Sequence, residues 1–501
     1  MLPDPKRPIH KRIPTKEHCH KVAKAIRESL PREDRDRRAI IYLAGRTPNV
    51  RDDTDVEVNE RQESNFFYTT GVDAPGYQFI YDLRKDTAYL IVPITPASVI
   101  LWKGPPDSLE DHLQKFDVDV AIHDTPNDIR SLLDKISPEV MYTLSIATCT
   151  SRLPYLMTLI PRSPPQIDVS ALSPALSQAR LIKTSWEFAH IKHITQISSL
   201  AHIALMRQAR FGMNEYELQA LFEYECTRHG VQGQAYLPII ASGGHAATLH
   251  YTDNDDWIQP LADDPAKRAV LARYYMVLVD AGGEERCYGT DITRTWPVSG
   301  KFVGMSKDIY ETVLAMQKAV LSRLKPGILW SEMQKLAHRV LVHRLLALGI
   351  LRIPDAKAMM GVTEETLVEL GIGKAFYPHG LGHSVGLDVH DVGGHDAGIF
   401  FLDAETRPFR RFKQAIPDTL PLQTFQVLTV EPGCYFNKYI LQGFLDNPLY
   451  APYFDQDKIA EYAVVGGVRI EDTVGLVDGG YDNFTICPKE VKDIEAVLGT
   501  A

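Results

Sequence analysis

The rhythm of apolar and polar positions changes near residue 178. Before that point short apolar runs dominate. AIIYLAG (39–45), NFFYTTG (65–71), YQFIYDL (77–83) and TAYLIVPI (87–94) predict strands. TPNDIRSLLDKI (125–136) predicts a helix opened by Thr125 or Asn127. PRSPPQIDVSALSPALSQ (161–178) is rich in proline and serine and reads as a linker or its edge. Beyond it come long helical patterns. KTSWEFAHIKHITQISSLAHIALM (183–206) carries Thr184 and Glu187 as a capping box, and NEYELQALFEYECTRHG (214–230) is capped by Asn214 and stopped by Gly230. SKDIYETVLAMQKAVLSRL (306–324) and SEMQKLAHRVLVHRLLALG (331–349) repeat the arrangement, the second with Ser331 and Gln334 as its cap. Strand-like segments lie between and after these helices. The expectation is an α/β domain over 1–178 and an α+β domain over 179–501.

Composition narrows the class. A chain of 501 residues exceeds one ordinary domain, and 45% hydrophobic with 24% charged residues is the balance of a globular protein. A net charge of −10 argues against a nucleic-acid binder. No apolar run approaches the roughly 18 residues of a membrane span. The polar, proline-bearing start, MLPDPKRPIHKRIPTKEH, lacks the apolar core of a secretory signal. Six cysteines are scattered without a CxxC pair, which fits a reducing compartment and predicts a cytoplasmic protein.

Four segments carry candidate chemistry. In LVDAGGEERCYGTDIT (278–293), an apolar strand ends at Asp280 and a glycine-rich turn leads to Asp291. A hairpin turning near Glu285 and Arg286 would set the two acids opposite each other, where like charges destabilise a strand pair. Solvation, a shared proton or a cation between them would each relieve that. PHGLGHSVGLDVHD (378–391) holds His379, His383 and His390. The i, i+4 pair His379 and His383 lacks the glutamate of a helical zinc motif, and Gly380, Gly382 and Gly386 predict a loop running into a strand. QVLTVEPGCYF (426–436) brings an apolar strand to Glu431, and VVGGVRIEDTV (464–474) brings another to Glu471, just after Arg469. A carboxylate at the end of a buried strand is costly without a partner. Alone, Arg469 and Glu471 read as a neighbouring ion pair. Together, four acids at strand ends with histidines between them sum to four negative charges if they converge. Two divalent cations match that sum, and a neutral His383 adds a nitrogen ligand. Such a set suits manganese first, with iron, cobalt or zinc as alternatives.

These segments, in this order and spacing, resemble the metallopeptidase family of aminopeptidase P, prolidase, creatinase and methionine aminopeptidase, whose catalytic fold is called pita-bread. The match runs from about Arg180 to Pro488 and is closest to the proline-specific branch, and ESNFFYTTGVDAPGY (63–77) resembles that branch's N-terminal creatinase-like domain. The resemblance implies that Asp280, Asp291, His383, Glu431 and Glu471 bind a dinuclear centre, with Asp291 and Glu471 bridging. It makes His250, in TLHYTDN, the substrate-side histidine, His379 and His390 outer histidines, and Tyr435 and Arg469 supports behind the ligands. Glu431, His250 and His390 are the implied catalytic residues, and His250, His379, His390 and Arg469 the implied substrate contacts. The implied activity is removal of the first residue from peptides with proline in second position by a homodimer, with substrate access and oligomer contacts assigned to the N-terminal domain. The alternatives are a prolidase limited to Xaa-Pro dipeptides and a non-catalytic peptide-binding protein on the same fold. In prolidases an arginine before the glutamate strand meets the substrate carboxylate. Here RPFRRFKQAIPDTLP (407–421) reads as an inserted surface loop that breaks the alignment, although Arg407, Arg410 or Arg411 could serve. Creatinase lacks the full ligand set, so five intact ligands argue against its activity.

Overall fold

Ala39–Ala44, wholly apolar apart from one tyrosine, lies buried on both faces near the middle of a six-stranded sheet. This is a computed structural model, and it describes residues 12–58, 61–160, 164–260, 262–392 and 420–499. The sheet runs Val120–His123, Thr87–Val92, Gln78–Asp82, Ala39–Ala44, Val140–Tyr142, Gln166–Asp168. Thr87–Val92, Gln78–Asp82 and Ala39–Ala44 pair antiparallel, and the remaining pairings towards both edges are parallel. Helix Pro126–Ile136 sends Ile129, Leu132, Leu133 and Ile136 into a core with Ile40, Tyr42, Ile80 and Met141. That spacing is one face of an amphipathic helix.

Two expectations fail in this unit. NFFYTTG is a helix, Ser64–Thr70, not a strand. Its β-branched and aromatic residues favour strands, but local chemistry wins: Glu63 accepts from the Phe66 amide at the N-terminus, and Gly71 closes the C-terminus at φ 69°. The 161–178 stretch is not simply a linker. Gln166–Asp168 forms the sixth strand and helix Leu172–Leu181 follows, because Asp168 accepts three hydrogen bonds from Ser170 and Ala171 and turns the chain between them.

The chain divides into two compact units between Glu187 and Phe188, within helix Ser185–Gln208. The helix begins at the expected capping box: Glu187 accepts from the Thr184 amide (2.7 Å), and Thr184 accepts from the Glu187 amide (3.3 Å). Asn214 and Glu217 cap helix Glu215–Arg228 in the same way.

The second unit is α+β. Two antiparallel three-stranded sheets form its frame, Ile239–Ser242 with Met276–Asp280 and Thr293–Pro297, and Val427–Val430 with Asp472–Val477 and Gly480–Asn483. Helices Gly304–Leu321 and Trp330–Ala347 pack against each other. Ser331 and Gln334 do not cap the second helix: its N-cap is Leu329, with no side-chain bond. Gln334 is drawn away instead to accept from the Leu381 amide at 2.6 Å, in the histidine loop. The expected surface loop at 407–421 lies outside the described residues except for Leu420 and Pro421. No helix among the described residues is long and apolar enough to cross a membrane.

Candidate metal centre

Each sheet ends in acids at the same place. Strand Met276–Asp280 pairs with Thr293–Pro297 so that Asp280 faces Thr293, not Asp291. The hairpin tip is Arg286–Cys287, both at positive φ (50° and 58°), a tight two-residue turn that moves the register by two residues from the expected one. Asp291 is therefore diagonal to Asp280 and still on its face. The chains approach closely here. A Cβ on Gly282 would stand 1.8 Å from the Thr290 carbonyl oxygen, so only glycine fits.

His383 arrives on an irregular loop tied to strand Val427–Val430. Its amide donates to the Thr429 hydroxyl (3.0 Å), and the Thr429 amide donates to its carbonyl (2.9 Å). A Cβ on Gly382 would lie 2.1 Å from the Thr429 oxygen, so glycine again permits the contact. His383 Nδ1 donates to the Ser384 carbonyl at 3.0 Å. That fixes the tautomer and leaves the Nε2 lone pair facing Asp291 (3.3 Å), Glu431 (3.7 Å) and Glu471 (4.0 Å).

The ligand-type atoms cluster in overlapping trios, Asp280–Asp291–Glu471, His383–Glu431–Glu471 and Asp291–His383–His390, each within 4.8 Å. Glu471 is 1% exposed. Its Oε2 accepts from the Thr293 hydroxyl at 2.7 Å, while Oε1 is buried with no hydrogen-bond partner among the described residues. A buried carboxylate oxygen left bare calls for a cation. Burial and the neighbouring acids push Asp291 and Glu471 well above the carboxylate range, and raise Glu431 to about 8. Asp280 is the exception: burial acts to raise it, but the adjacent Arg469 guanidinium and the Tyr236 hydrogen bond bring it below its ordinary value. Without an outside charge, the cluster holds protons. The donor set, four carboxylates and one imidazole, fits divalent metal binding.

Supports lie behind the cluster. Arg469 donates to Asp280 (2.5 Å), to the Thr293 hydroxyl (3.0 Å) and to the Tyr435 hydroxyl (3.0 Å). Tyr435 in turn donates to His379 Nε2 at 2.8 Å, while His379 Nδ1 donates to the Gly380 carbonyl. Burial and the Arg469 charge hold His379 down to about 3, so it is neutral. His390 packs its ring 4.2 Å from that of His383 and is exposed. His250 is exposed too, on the segment after Gly243–Ala247. Sequence reasoning missed Tyr236, whose hydroxyl lies 2.5 Å from Asp280 and 2.6 Å from Asp291 and has one proton to share between them. It also missed Thr293 and Gln334. A lone tyrosine in QGQAYLPII gives no pattern; only the register of the acidic hairpin could have pointed to Thr293.

A model of metallopeptidase family M24 matches residues 189–478, and a model of the aminopeptidase P N-terminal domain matches residues 17–141. A probable Xaa-Pro aminopeptidase of Coccidioides posadasii is 36% identical over 493 residues, covering 97% of each chain. One of Paracoccidioides brasiliensis is 37% identical over 500 residues, covering 97% of this chain and 96% of the relative. Among solved structures, Pseudomonas aeruginosa aminopeptidase PepP superposes with a TM-score of 0.76 at 28% identity, covering 98% and 99% of the two chains. Zinc-substituted Escherichia coli aminopeptidase P in complex with product gives 0.74 at 25% identity, covering 97% and 98%. On these matches and on the convergent carboxylates, the chain belongs to metallopeptidase family M24, with the pita-bread catalytic fold, as a metallo-exopeptidase of the Xaa-Pro aminopeptidase group.

Proposed function

We propose that Asp280, Asp291, His383, Glu431 and Glu471 hold two divalent cations, manganese first, and that the enzyme removes the N-terminal residue from peptides with proline in second position. The observation that carries this is the buried cluster of carboxylates that the chain leaves without enough charge of its own, with Glu471 Oε1 bare at its centre. When bound, a divalent pair supplies a Lewis acid that brings the pKa of water into the neutral range.

The chain's own residues do the rest. Glu431, a carboxylate beside His383 and Glu471, accepts a proton from the attacking water and returns it to the leaving nitrogen. His250 and His390, the exposed histidines, stabilise the charge developing on the carbonyl oxygen. His379 has both ring nitrogens engaged, so we assign it to positioning: with Tyr435 and Arg469 it holds Asp280 in place. Proline matters because its nitrogen forms a tertiary amide without an N–H, which peptidases that grip that donor cannot use.

The 1–178 domain governs substrate access and self-association in this reading. Exposed Leu101 (80%) and Trp102 (85%) on helix Ala97–Lys103 support a homodimer, which sedimentation tests. Six free, buried cysteines support a cytoplasmic location. The deciding experiment strips the metal, restores Mn²⁺ and compares a Xaa-Pro dipeptide with a Xaa-Pro-Xaa tripeptide. Cleavage of the tripeptide is expected. Cleavage of the dipeptide alone would make the enzyme a prolidase, and no cleavage of either by metal-loaded protein would make it a binding protein.

A further inference from the structure

The strands that carry Glu431 and Glu471 run antiparallel in one register on both sides of these residues. Val430 lies opposite Asp472, and Gly433 lies opposite Arg469. Between these pairs, Glu431 and Glu471 form a non-hydrogen-bonded pair of the ladder, so their amides face outward, to the Leu381 carbonyl (2.8 Å) and the Thr293 carbonyl (3.0 Å). One ladder bond remains there, from the Ile470 amide to the Pro432 carbonyl at 3.3 Å. Its reciprocal would run from residue 432 to the Ile470 carbonyl, and proline has no N–H to donate.

Gln317 fills that gap. It sits on helix Gly304–Leu321 in a buried row with Val313, Leu314, Met316, Val320 and Leu321, where an apolar residue would pack. Its Nε2 donates to the Ile470 carbonyl and to the Val430 carbonyl, each at 3.2 Å. Two facing carbonyls leave no choice about which end of the amide points there. Its Oε1 is buried without a hydrogen-bond partner among the described residues, so the helix accepts a polar cost to place those donors. The two carbonyls belong to the residues immediately before Glu471 and Glu431.

We infer that Gln317 is a positioning residue for the metal centre: its carboxamide stands in for the N–H that Pro432 lacks and sets the offset between the Glu431 and Glu471 strands. This rests on the assignment of those two glutamates as metal ligands. The test is calorimetric Mn²⁺ titration of metal-stripped protein, with thermal melting of the same metal-free samples. Gln317→Met keeps the volume and removes the donors. It should weaken Mn²⁺ binding by about 10–100-fold, the usual effect of losing a group behind the ligands. Gln317→Met/Pro432→Ala, which restores an N–H at 432, should recover most of that loss, a rescue that simple core repair would not give. A Gln317→Met protein binding Mn²⁺ within about twofold of wild type overturns the inference, as does a double variant that neither folds nor regains affinity. If Gln317→Met alone gives no folded protein, the double variant answers by itself. A wild-type protein that takes up no Mn²⁺ sinks the metal-centre reading and this inference together; a binding wild type with an equally binding Gln317→Met sinks only this one.

Discussion

Glu471 and Asp472 are consecutive, both buried, and opposite in circumstance. Successive residues of an extended chain point to opposite faces, so their surroundings share little. Asp472 is fully supplied by its own chain. Arg294 donates to it at 2.7 Å, Asn483 at 2.8 Å, and Lys489 donates as well. Burial acts to raise it, but Arg294 and Lys489 hold it down to about 2. Glu471 receives one hydroxyl bond and is driven well above its ordinary range. Where a buried charge serves the fold, the chain builds the counter-charge in. Where the counter-charge is withheld, the site is waiting for something from outside.

The comparison can be broken at either residue. The largest effect is expected from Glu471→Gln. It should lower kcat/KM by about three orders of magnitude, the several kcal/mol of charge stabilisation that bound ions provide. Yet its metal-free form should melt no lower than metal-free wild type, because an unneutralised acid is removed. Wild-type turnover in this variant would erase the distinction. Arg294→Met should do the reverse. It takes one of two counter-charges from buried Asp472 and leaves Lys489 and Asn483, at a cost of up to about 3–5 kcal/mol in stability that added Mn²⁺ does not repair; a melting temperature unchanged from wild type would show that the pair is dispensable.

Metal should separate the two residues by a smaller margin. Mn²⁺ at a hundred times its Kd should stabilise wild type by about 2.7 kcal/mol for each ion bound and Glu471→Gln by much less. Equal shifts in thermal melts of the two would place the ions elsewhere. The two residues' neighbourhoods also differ in pH dependence. Glu431, near 8 when folded against about 4.3 unfolded, holds a proton in the native state that the unfolded chain releases. Its contribution to metal-free stability is therefore complete below about pH 4.3 and is lost as pH rises through 8. Asp472, at about 2 against about 3.9, works the other way: its contribution is present above 3.9 and disappears as pH falls towards 2. Melting curves of metal-free Glu431→Gln should show a shallower alkaline slope, the part left belonging to Asp291 and Glu471, and keep the acid one; an alkaline slope unchanged from wild type would assign it to those two alone.

Much of this was legible in the sequence where the signal is local. The capping boxes at Thr184–Glu187 and Asn214–Glu217 mark two helices, and apolar runs ending in Asp280, Glu431 and Glu471 mark strands whose acids had to go somewhere. Illegible were the choices made by partners far along the chain. The aromatic run before Gly71 folds as a helix because Glu63 caps it and burial surrounds it. Gln334 forgoes a cap to hold the loop of His383. Tyr236 has no periodicity to announce it, and it meets Asp280 only because a separate two-stranded contact, Gly233–Gln234 against Gly283 and Glu284, brings its segment alongside.

The single register that runs through Glu431 and Glu471 also constrains how this protein can vary in length. Side chains alternate faces along both strands, so losing or gaining one residue between Val427 and Glu431 would rotate the carboxylate out of the cluster and present its apolar neighbour instead. Insertions and deletions must then fall in the connections between strands, and a lineage can lengthen those freely while these two short segments stay fixed to the residue.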